Sequence, residues 1–313
     1  MIQGKTLINP FALSKRIGRP LILDGAMGSM LQQSGLKSEG SLWMSLANIT
    51  HPDMVFSIHS KYVKAGADII TTNTFRTNPF AVKNYNSKLS AEKLVKESVK
   101  IAFDAAKGFP VFVAGSNAPA EDCYQRKRTI SQKELQINHH NHINLLMDNG
   151  CHFILNETQS HLDEIKIICK FCYEHNILHV FSLYVDERLN ILSGEKIFDV
   201  IPMVLDFAPL AIGINCIRQN TFMKIYKRLK STLIWGAYLN CLPSQKPSFS
   251  LAQAGGSGDF TDDNIVCGVS PTEYKITIEN ILPKMPSFIG GCCGSTPGHI
   301  NKIKQLLDGK IRN

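Results

Sequence analysis

Short apolar runs rich in β-branched residues recur along the whole chain and alternate with longer stretches of helical periodicity. Runs of this kind predict buried strands, and the amphipathic stretches between them predict helices. The eight predicted strands are LIL at 21, ADIITT at 67, VFVA at 111, HFIL at 152, HVFSLYV at 179, LAIGI at 210, LIWGAYL at 233 and SFIG at 287. The clearest predicted helices begin at His51, Ser90, Ser131 and Gln159.

Alternation of strand and helix predicts a parallel sheet. Eight repeats favour a closed (β/α)₈ barrel of the TIM type, formed as a single domain by residues 1–313. The rival fold is an open, doubly wound sheet. Its dinucleotide-binding form would carry spaced glycines after the first strand, but the sequence there is DGAMGS, and no lysine-bearing phosphate loop occurs. In a barrel, active groups should follow the strand ends, because barrel active sites lie at the C-terminal face.

Composition narrows the class of protein further. A 44% share of hydrophobic residues allows a large core, and the basic residues behind the net charge of +8 are dispersed, so neither nucleic acid nor a membrane surface is expected as a partner. The chain start lacks the apolar core of a secretory signal, and no apolar run reaches the roughly 20 residues of a membrane span. We therefore expect a cytoplasmic protein, in which nine cysteines are free thiols or metal ligands.

Polar residues follow several of the predicted strands. Asp24 follows the first strand, Asn73 the second, Glu157 the fourth and Asn240 the seventh. Asp24 could also be a simple turn residue, since Asp-Gly is a common turn signal. A carboxylate at a barrel mouth, such as Glu157, is costly unless it is paired. These positions nevertheless match the face at which a barrel places its active site.

Three cysteines are candidate metal ligands. Cys216 ends the segment GINC after the sixth strand, and Cys292 and Cys293 lie in GGCCGSTPGHI after the eighth. The flanking glycines permit an irregular backbone in which two adjacent side chains converge. Three thiolates favour zinc and leave a fourth tetrahedral position for water or substrate, which is typical of catalysis. Cys241, just after the seventh strand, is a competitor of Cys216.

The other cysteines and the histidines offer no better metal site. The thiols assigned to the core are Cys123, Cys151, Cys172 and Cys267. The adjacent histidines at 139 and 140, together with His142, fall in the middle of a predicted helix, where we expect them to be exposed to solvent.

Taken together, these motifs resemble the homocysteine S-methyltransferases, a family of zinc-dependent barrels. The matching segments are LILDGAMGSML, LWMSLANITHPDMVFSIHSKYVKAGADIITTNTF, ILNETQSHLDE, AIGINC and GGCCGSTPGHI, which extend from residue 21 to residue 300. The resemblance implies that Cys216, Cys292 and Cys293 hold Zn²⁺ and that the thiol of homocysteine is the fourth ligand. Zinc coordination deprotonates such a thiol, and methyl transfer to it would give methionine.

The resemblance also implies how homocysteine binds. Asp24 and Glu157 would hold the ammonium group of homocysteine, and the amides of Ala26 and Met27 its carboxylate. The remaining residues expected at the substrate site are Asn240, Asn73 and Trp43.

The expected methyl donor is a sulfonium compound, either S-methylmethionine or S-adenosylmethionine. Trp43 could stack on such a cation, although ordinary burial explains a tryptophan equally well. Arg76 and the segment NAPAEDCY at 117–124 depart from the family pattern, and we expect them to face the donor and not the zinc.

Other functions fit part of the pattern. Betaine or another small methylated compound could be the donor, or a related thiol the acceptor. A redox protein, a zinc-storage protein or a partner subunit without turnover could use the same cysteines. Asp24, Glu157 and Asn240 separate these classes, because a storage site needs only sulfurs whereas an amino acid needs a charged cradle beside them.

Overall fold

Eight parallel strands form the centre of the molecule. The computed structural model describes residues 9–85, 89–230, 232–242 and 268–311. The sheet order is β1-β8-β7-β6-β5-β4-β3-β2, so the strands neighbour one another in sequence order. Their bounds are β1 Leu21–Ile22, β2 Ile69–Thr71, β3 Phe112–Asn117, β4 Phe153–Gln159, β5 His179–Leu183, β6 Ala211–Asn215, β7 Trp235–Leu239 and β8 Phe288–Gly291.

The sheet closes on itself between its first, second and last strands. Strand β1 pairs in parallel with β8, with Ile22 opposite Ile289. On its other side, Leu23 forms a parallel bridge with Ile69 of β2, and the amide of Asp24 donates to the Ile69 carbonyl at 2.9 Å. The predicted (β/α)₈ barrel is thereby confirmed, and the open doubly wound sheet is excluded.

Helices surround this barrel. They are α1 Pro10–Ile17, α2 Met27–Gln33, α3 Ala47–Thr50, α4 Pro52–Ala65, α5 Pro79–Asn84, α6 Ala91–Ala106, α7 Gln132–Asp148, α8 Leu162–Glu174, α9 Ile197–Leu205, α10 Gln219–Tyr226, α11 Pro271–Ile281 and α12 Pro297–Ile311. Short 3₁₀ helices lie at Gly40–Leu42 and Leu282–Lys284. Within the described ranges, no helix is both long and apolar enough to cross a bilayer.

Local sequence signals set several helix boundaries. Helix α7 begins with a capping box in which the Ser131 side chain accepts from the Glu134 amide while the Glu134 carboxylate accepts from the Ser131 amide. Helix α11 begins with the same box at Ser270 and Glu273. Helix α4 is capped at its C-terminal end by Gly66. This residue has a left-handed backbone conformation, which glycine adopts without strain. Such caps satisfy terminal backbone groups and so fix where each helix starts or stops.

The alternation of side chains along each strand divides the core into two layers. In β4, Phe153 and Leu155 belong to the cluster inside the barrel, whereas Ile154 packs in the layer between strands and helices. Helix α1 closes the N-terminal end of the barrel with Phe11, whose ring centroid lies 6.5 Å from that of Phe153 and 5.6 Å from that of Phe288. The opposite, C-terminal end is left for polar groups.

The expectation that the histidines of α7 face solvent is wrong for two of them. His139 and His142 are fully buried. Nε2 of His139 donates to the Glu164 carboxylate of α8 at 2.7 Å, while the His142 ring lies 2.9 Å from both the Thr77 hydroxyl and the Asn117 side-chain oxygen. Helix α7 therefore buries a polar face against polar partners, which helical periodicity in the sequence cannot reveal.

Removal of the ring that closes the N-terminal end should destabilise the barrel. We expect Phe11→Ala to lower the free energy of unfolding by about 3 kcal/mol, because Phe11 is buried against two core rings. Denaturant unfolding measures this change. Phe56→Ala is the control, since that ring is 42% exposed, and equal losses in the two variants would show that α1 does not belong to the core.

Candidate active site

A cavity opens at the C-terminal ends of the strands, where the barrel predicts an active site. It is lined by residues that lie near the ends of, or follow, every strand except β5. The lining residues used below are Asp24, Ala26, Met27, Gly28, Trp43, Thr71, Asn73, Phe75, Ser116, Cys123, Tyr124, Glu157, Cys216, Tyr238, Cys292 and Cys293.

Three of the lining residues are thiols that converge on one point. The sulfurs of Cys216, Cys292 and Cys293 all lie within 4.8 Å of one another, and those of Cys216 and Cys293 are 3.5 Å apart. Four-coordinate zinc with Zn–S bonds of about 2.3 Å places its sulfurs about 3.8 Å apart. The spacing thus fits three ligands of one tetrahedral ion. Cys216 is buried, whereas Cys292 and Cys293 are half-buried, which leaves one side of the group open to the cavity.

The end of β7 positions both segments that carry the three thiols, the one with Cys216 and the one with Cys292 and Cys293. The Cys216 amide donates to the Tyr238 carbonyl at 3.1 Å, and the Cys292 amide donates to the Leu239 carbonyl at 2.9 Å. Cys216 has a φ of 56°, in the left-handed region that only glycine adopts without cost. A strained residue at a strand end is typical of a functional site, since surrounding contacts must hold it there.

The sulfurs also alter one another's acidity. Hydrogen bonds from Cys216 and Cys292 hold the pKa of the Cys293 thiol well below its usual range. Hydrogen bonds to Cys216 and Cys293, together with burial, raise the pKa of Cys292. The group therefore stabilises negative charge at one sulfur, and a bound cation would extend this effect to all three.

The other cysteines lie apart from this group. Cys241 is fully buried, and its thiol points toward the Leu239 carbonyl at 3.8 Å, so the structure does not bring it to the three sulfurs. Cys151 and Cys172 are buried in the core, as predicted. Cys123 is also buried, although it lines the cavity. The predicted core residue Cys267 lies outside the described residues.

Two carboxyl groups share the cavity with the thiols. Asp24 accepts hydrogen bonds from the amide and the hydroxyl of Thr71, each at 2.8 Å. The hydroxyl of Ser116 donates to Glu157. Burial raises the pKa of Asp24 to about 8 and that of Glu157 to about 7. A cationic ligand between them would lower both values, so the pair is suited to bind an ammonium group.

The first turn of α2 borders the same space. Met27 lines the cavity as the first residue of this helix, where amide groups have no acceptor within the helix. The amide of Ala26 already donates to the Ser295 hydroxyl at 3.1 Å. Of the two amides expected to bind a carboxylate, that of Met27 is therefore the better placed.

Trp43 and Phe75 form the aromatic part of the wall. Their ring centroids are 6.1 Å apart in an edge-to-face arrangement. A Cβ atom at Gly28 would lie 2.1 Å from the Trp43 ring, so the second glycine of DGAMGS is required for the indole to fit. Trp43 has a φ of 48°, and its indole nitrogen finds no hydrogen-bond partner in the described part of the chain.

Two expected site residues are committed to backbone contacts. Asn240 does not line the cavity, and its side-chain oxygen accepts from the Leu242 amide at 2.7 Å. Asn73 does line the cavity, but its amide nitrogen donates to the Met44 carbonyl at 3.1 Å and to Asn48 at 3.0 Å. Both side chains thus hold neighbouring segments in place.

The expectation that Arg76 and residues 117–124 face the donor and not the metal is wrong in two respects. Arg76 is buried and does not line the cavity, because its guanidinium donates to the carbonyls of Pro119 and Glu121, at 3.2 and 2.7 Å. Tyr124, at the end of the segment, has its hydroxyl oxygen 3.0 Å from the sulfur of Cys216. Arg76 therefore shapes the loop, and Tyr124 contacts a candidate metal ligand.

Sequence reasoning missed several residues of the site. Thr71 lies at the end of β2, so the rule that polar groups follow strands could have found it. Tyr124 lies in an irregular loop, and Tyr238 and Phe75 resemble ordinary core aromatics in the sequence. No periodic pattern distinguishes these three.

Three converging thiols that could hold a metal ion, in a cavity with two carboxyl groups at the C-terminal face of a barrel, are features typical of a barrel enzyme. Residues 21–307 match the family model described as homocysteine S-methyltransferase. The chain therefore belongs to the homocysteine S-methyltransferase family and is a methyltransferase, as the sequence motifs indicated.

Named relatives agree with this assignment. The chain is 22% identical to homocysteine S-methyltransferase 2 of Arabidopsis thaliana, over 94% of each chain. It is 25% identical to homocysteine S-methyltransferase of Escherichia coli K12, over 91% of this chain and 94% of the relative. The metallated crystal structure of the homocysteine methyltransferase MmuM from Escherichia coli superposes with a TM-score of 0.73 at 23% identity, covering 95% of this chain and 99% of that one, which shows a shared fold.

The raised pKa of Asp24 predicts a pH-dependent stability. The folded ligand-free protein keeps the proton up to about pH 8, whereas an unfolded chain loses it near its ordinary value of 3.8. Burial of Asp24 therefore destabilises the wild type progressively as the pH rises. Relative to Asp24→Asn, we expect its free energy of unfolding to fall by on the order of 2 kcal/mol between pH 5 and pH 8.

Denaturant unfolding of both proteins at the two pH values, without ligand, measures this difference. The wild type minus the variant reports Asp24 together with its interaction with Glu157, because the remaining titrating groups are common to both proteins. A difference that does not change with pH would show that Asp24 is already ionised in the free protein.

Proposed function

We propose that this cavity is a zinc-dependent site in which a sulfonium donor transfers its methyl group to the thiol of homocysteine, forming methionine. The observation that carries the proposal is the juxtaposition of three converging thiols with two carboxyl groups, one buried and one half-buried, in one cavity. A storage or redox site needs only the sulfurs. The carboxyl groups add the means to bind an amino acid, which fits the family to which the chain belongs.

The metal would be held by Cys216, Cys292 and Cys293. Their spacing fits a tetrahedral ion, and a set of three thiolates favours zinc over the oxygen-seeking ions. When bound, zinc supplies an open position for the substrate thiol and lowers the pKa of that thiol from its ordinary value of about 8.5. Three negatively charged protein sulfurs offset the charge of the ion, which keeps the substrate sulfur nucleophilic.

Asp24 and Glu157 would bind and orient homocysteine. Burial desolvates both carboxyl groups and raises their pKa values, so an ammonium ion between them would be strongly attracted in the low local dielectric. The Thr71 and Ser116 hydroxyls fix the two carboxyl groups in place. The amide of Met27, in the first turn of α2, would donate a hydrogen bond to the substrate carboxylate. With its ammonium and carboxylate groups both bound, homocysteine would have its side-chain thiol oriented by the shape of the cavity.

The aromatic part of the wall suits a cationic donor. Trp43 and Phe75 line the same cavity as the carboxyl groups, and aromatic faces attract sulfonium and quaternary ammonium ions. In the transfer, the bond between the donor sulfur and the methyl carbon breaks, and its electron pair stays on the donor. The homocysteine sulfur supplies the pair for the new bond after its proton has been lost. The donor thereby loses its positive charge, and we propose S-methylmethionine or S-adenosylmethionine in this role.

Methionine formation tests the reaction and the donor together. Zinc-loaded protein is given homocysteine with S-methylmethionine, S-adenosylmethionine or betaine in parallel, and methionine is measured by mass spectrometry. We expect product from a sulfonium donor. We expect Cys292→Ala to lose both zinc and activity while it remains folded, since its side chain is only half-buried and lies at the edge of the core.

Cys241→Ala is the matched control for that variant. Its thiol is close in sequence to the site but lies outside the converging group, so zinc content should be unchanged. Product from betaine alone would overturn the sulfonium assignment. Absence of product with every donor, at stoichiometric zinc, would contradict the acceptor or the reaction.

A further inference from the structure

Tyr124 contacts a sulfur that the transfer reaction must leave unmodified. Its hydroxyl oxygen lies 3.0 Å from the sulfur of Cys216. We propose that Tyr124 is a positioning residue whose hydrogen bond lowers the nucleophilicity of Cys216 and so directs the methyl group to the substrate sulfur. This inference rests on the proposed function, because it requires a methyl donor beside thiolates that hold a metal.

A site that holds protein thiolates beside an electrophilic methyl donor must direct the methyl group to the substrate sulfur and not to a protein sulfur. The donor methyl carbon could react with a protein sulfur as well as with homocysteine. At Cys216, such a reaction would form a bond between Sγ and the methyl carbon, while the donor sulfur departs with the electron pair of the broken bond. The product is a neutral thioether, which is a much weaker zinc ligand than a thiolate. Each such event would inactivate one enzyme molecule.

A hydrogen bond to the sulfur opposes this side reaction. Cys216 would be ionised when it holds the metal and would then have no proton to give, so the Tyr124 hydroxyl would be the donor of the pair. Hydrogen bonds to a charged acceptor are roughly twice as strong as those between neutral groups. The hydrogen bond uses a lone pair of the sulfur that an attack on a methyl carbon would need. A reaction at Cys216 would therefore have to break this hydrogen bond. Partners of this kind are known to tune metal ligands without touching the metal.

The Tyr124 ring is held by its immediate neighbours. It packs edge to face against Tyr184, with ring centroids 5.1 Å apart. The Tyr124 amide donates to the Asp122 carboxylate at 2.9 Å. The first contact restricts the ring and the second restricts the backbone that carries it, so the hydroxyl reaches the sulfur without a large loss of side-chain freedom.

A buried polar network anchors the loop that carries Tyr124. Arg76 donates to the Glu121 carbonyl at 2.7 Å, and the Glu121 carboxylate accepts from the Thr129 amide at 2.9 Å. The Glu164 carboxylate accepts from the Ala120 amide at 2.8 Å. The two departures from the family pattern thus act together: Arg76 stabilises the loop, and the loop presents Tyr124 to Cys216.

Alkylation of individual cysteines tests this role. Zinc-loaded wild type, Tyr124→Phe and Tyr238→Phe are treated with iodoacetamide, which forms a bond between carbon and Sγ and releases iodide. Mass spectrometry of peptides then gives a rate for each cysteine. In Tyr124→Phe we expect Cys216 to react about ten-fold faster, the rate gain that corresponds to loss of a hydrogen bond to a charged group at the weaker end of its range. Tyr238→Phe removes a hydroxyl from the same cavity and should leave the Cys216 rate unchanged.

Cys292 and Cys293 are the internal reference in this experiment. Local unfolding of the variant would accelerate all three cysteines, whereas loss of the hydrogen bond accelerates Cys216 selectively. The cobalt-substituted proteins provide a second readout, because loss of a hydrogen bond to a ligand sulfur should move the sulfur-to-cobalt charge-transfer band to longer wavelength in Tyr124→Phe alone.

Zinc content separates failure of this inference from failure of the proposed function. If the wild type does not take up stoichiometric zinc, the proposed function is wrong. If both proteins hold zinc but Cys216 reacts at the same rate in each, or if the three cysteines accelerate equally, the role of Tyr124 is wrong and the proposed function stands.

Discussion

Closure of the eight-stranded sheet is the constraint on which the site depends. Cys216 and Cys293 are 77 residues apart in the chain, yet their sulfurs lie 3.5 Å from each other. This is possible because β6 and β8 both pair with β7, whose last residues accept hydrogen bonds from the amides of Cys216 and Cys292. A change in the register of one strand would move its cysteine away from the others. Closure of the barrel therefore brings the three thiols together.

The site collects groups that a protein normally keeps in water or in ion pairs. Three thiols and two carboxyl groups face one cavity, and burial raises the pKa of Asp24 and of Glu157. In the proposed function a metal ion compensates the sulfurs, and the substrate ammonium compensates the carboxyl groups. Each set of acidic groups thus faces a cation in the bound state, which makes binding of the charged partners favourable.

Much of this arrangement could be predicted from the sequence. The eight apolar runs marked the strands, and the glycines beside Cys292 and Cys293 marked an irregular backbone at a strand end, because both signals are local in the chain. The burial of His142 and the contacts of Arg76 could not be predicted, since each depends on partners from elements distant in sequence. Tyr124 was missed for the same reason: its position follows from the loop network and not from any periodic pattern.

X-ray absorption at the zinc edge, on purified protein with and without homocysteine, tests the central claim most directly. The account predicts three sulfur ligands at about 2.3 Å and one lighter ligand in the free enzyme, and four sulfur ligands when homocysteine is bound. The fourth sulfur should disappear when methionine replaces homocysteine, because a thioether is a poor ligand. A sulfur count that does not change on addition of homocysteine would contradict the account.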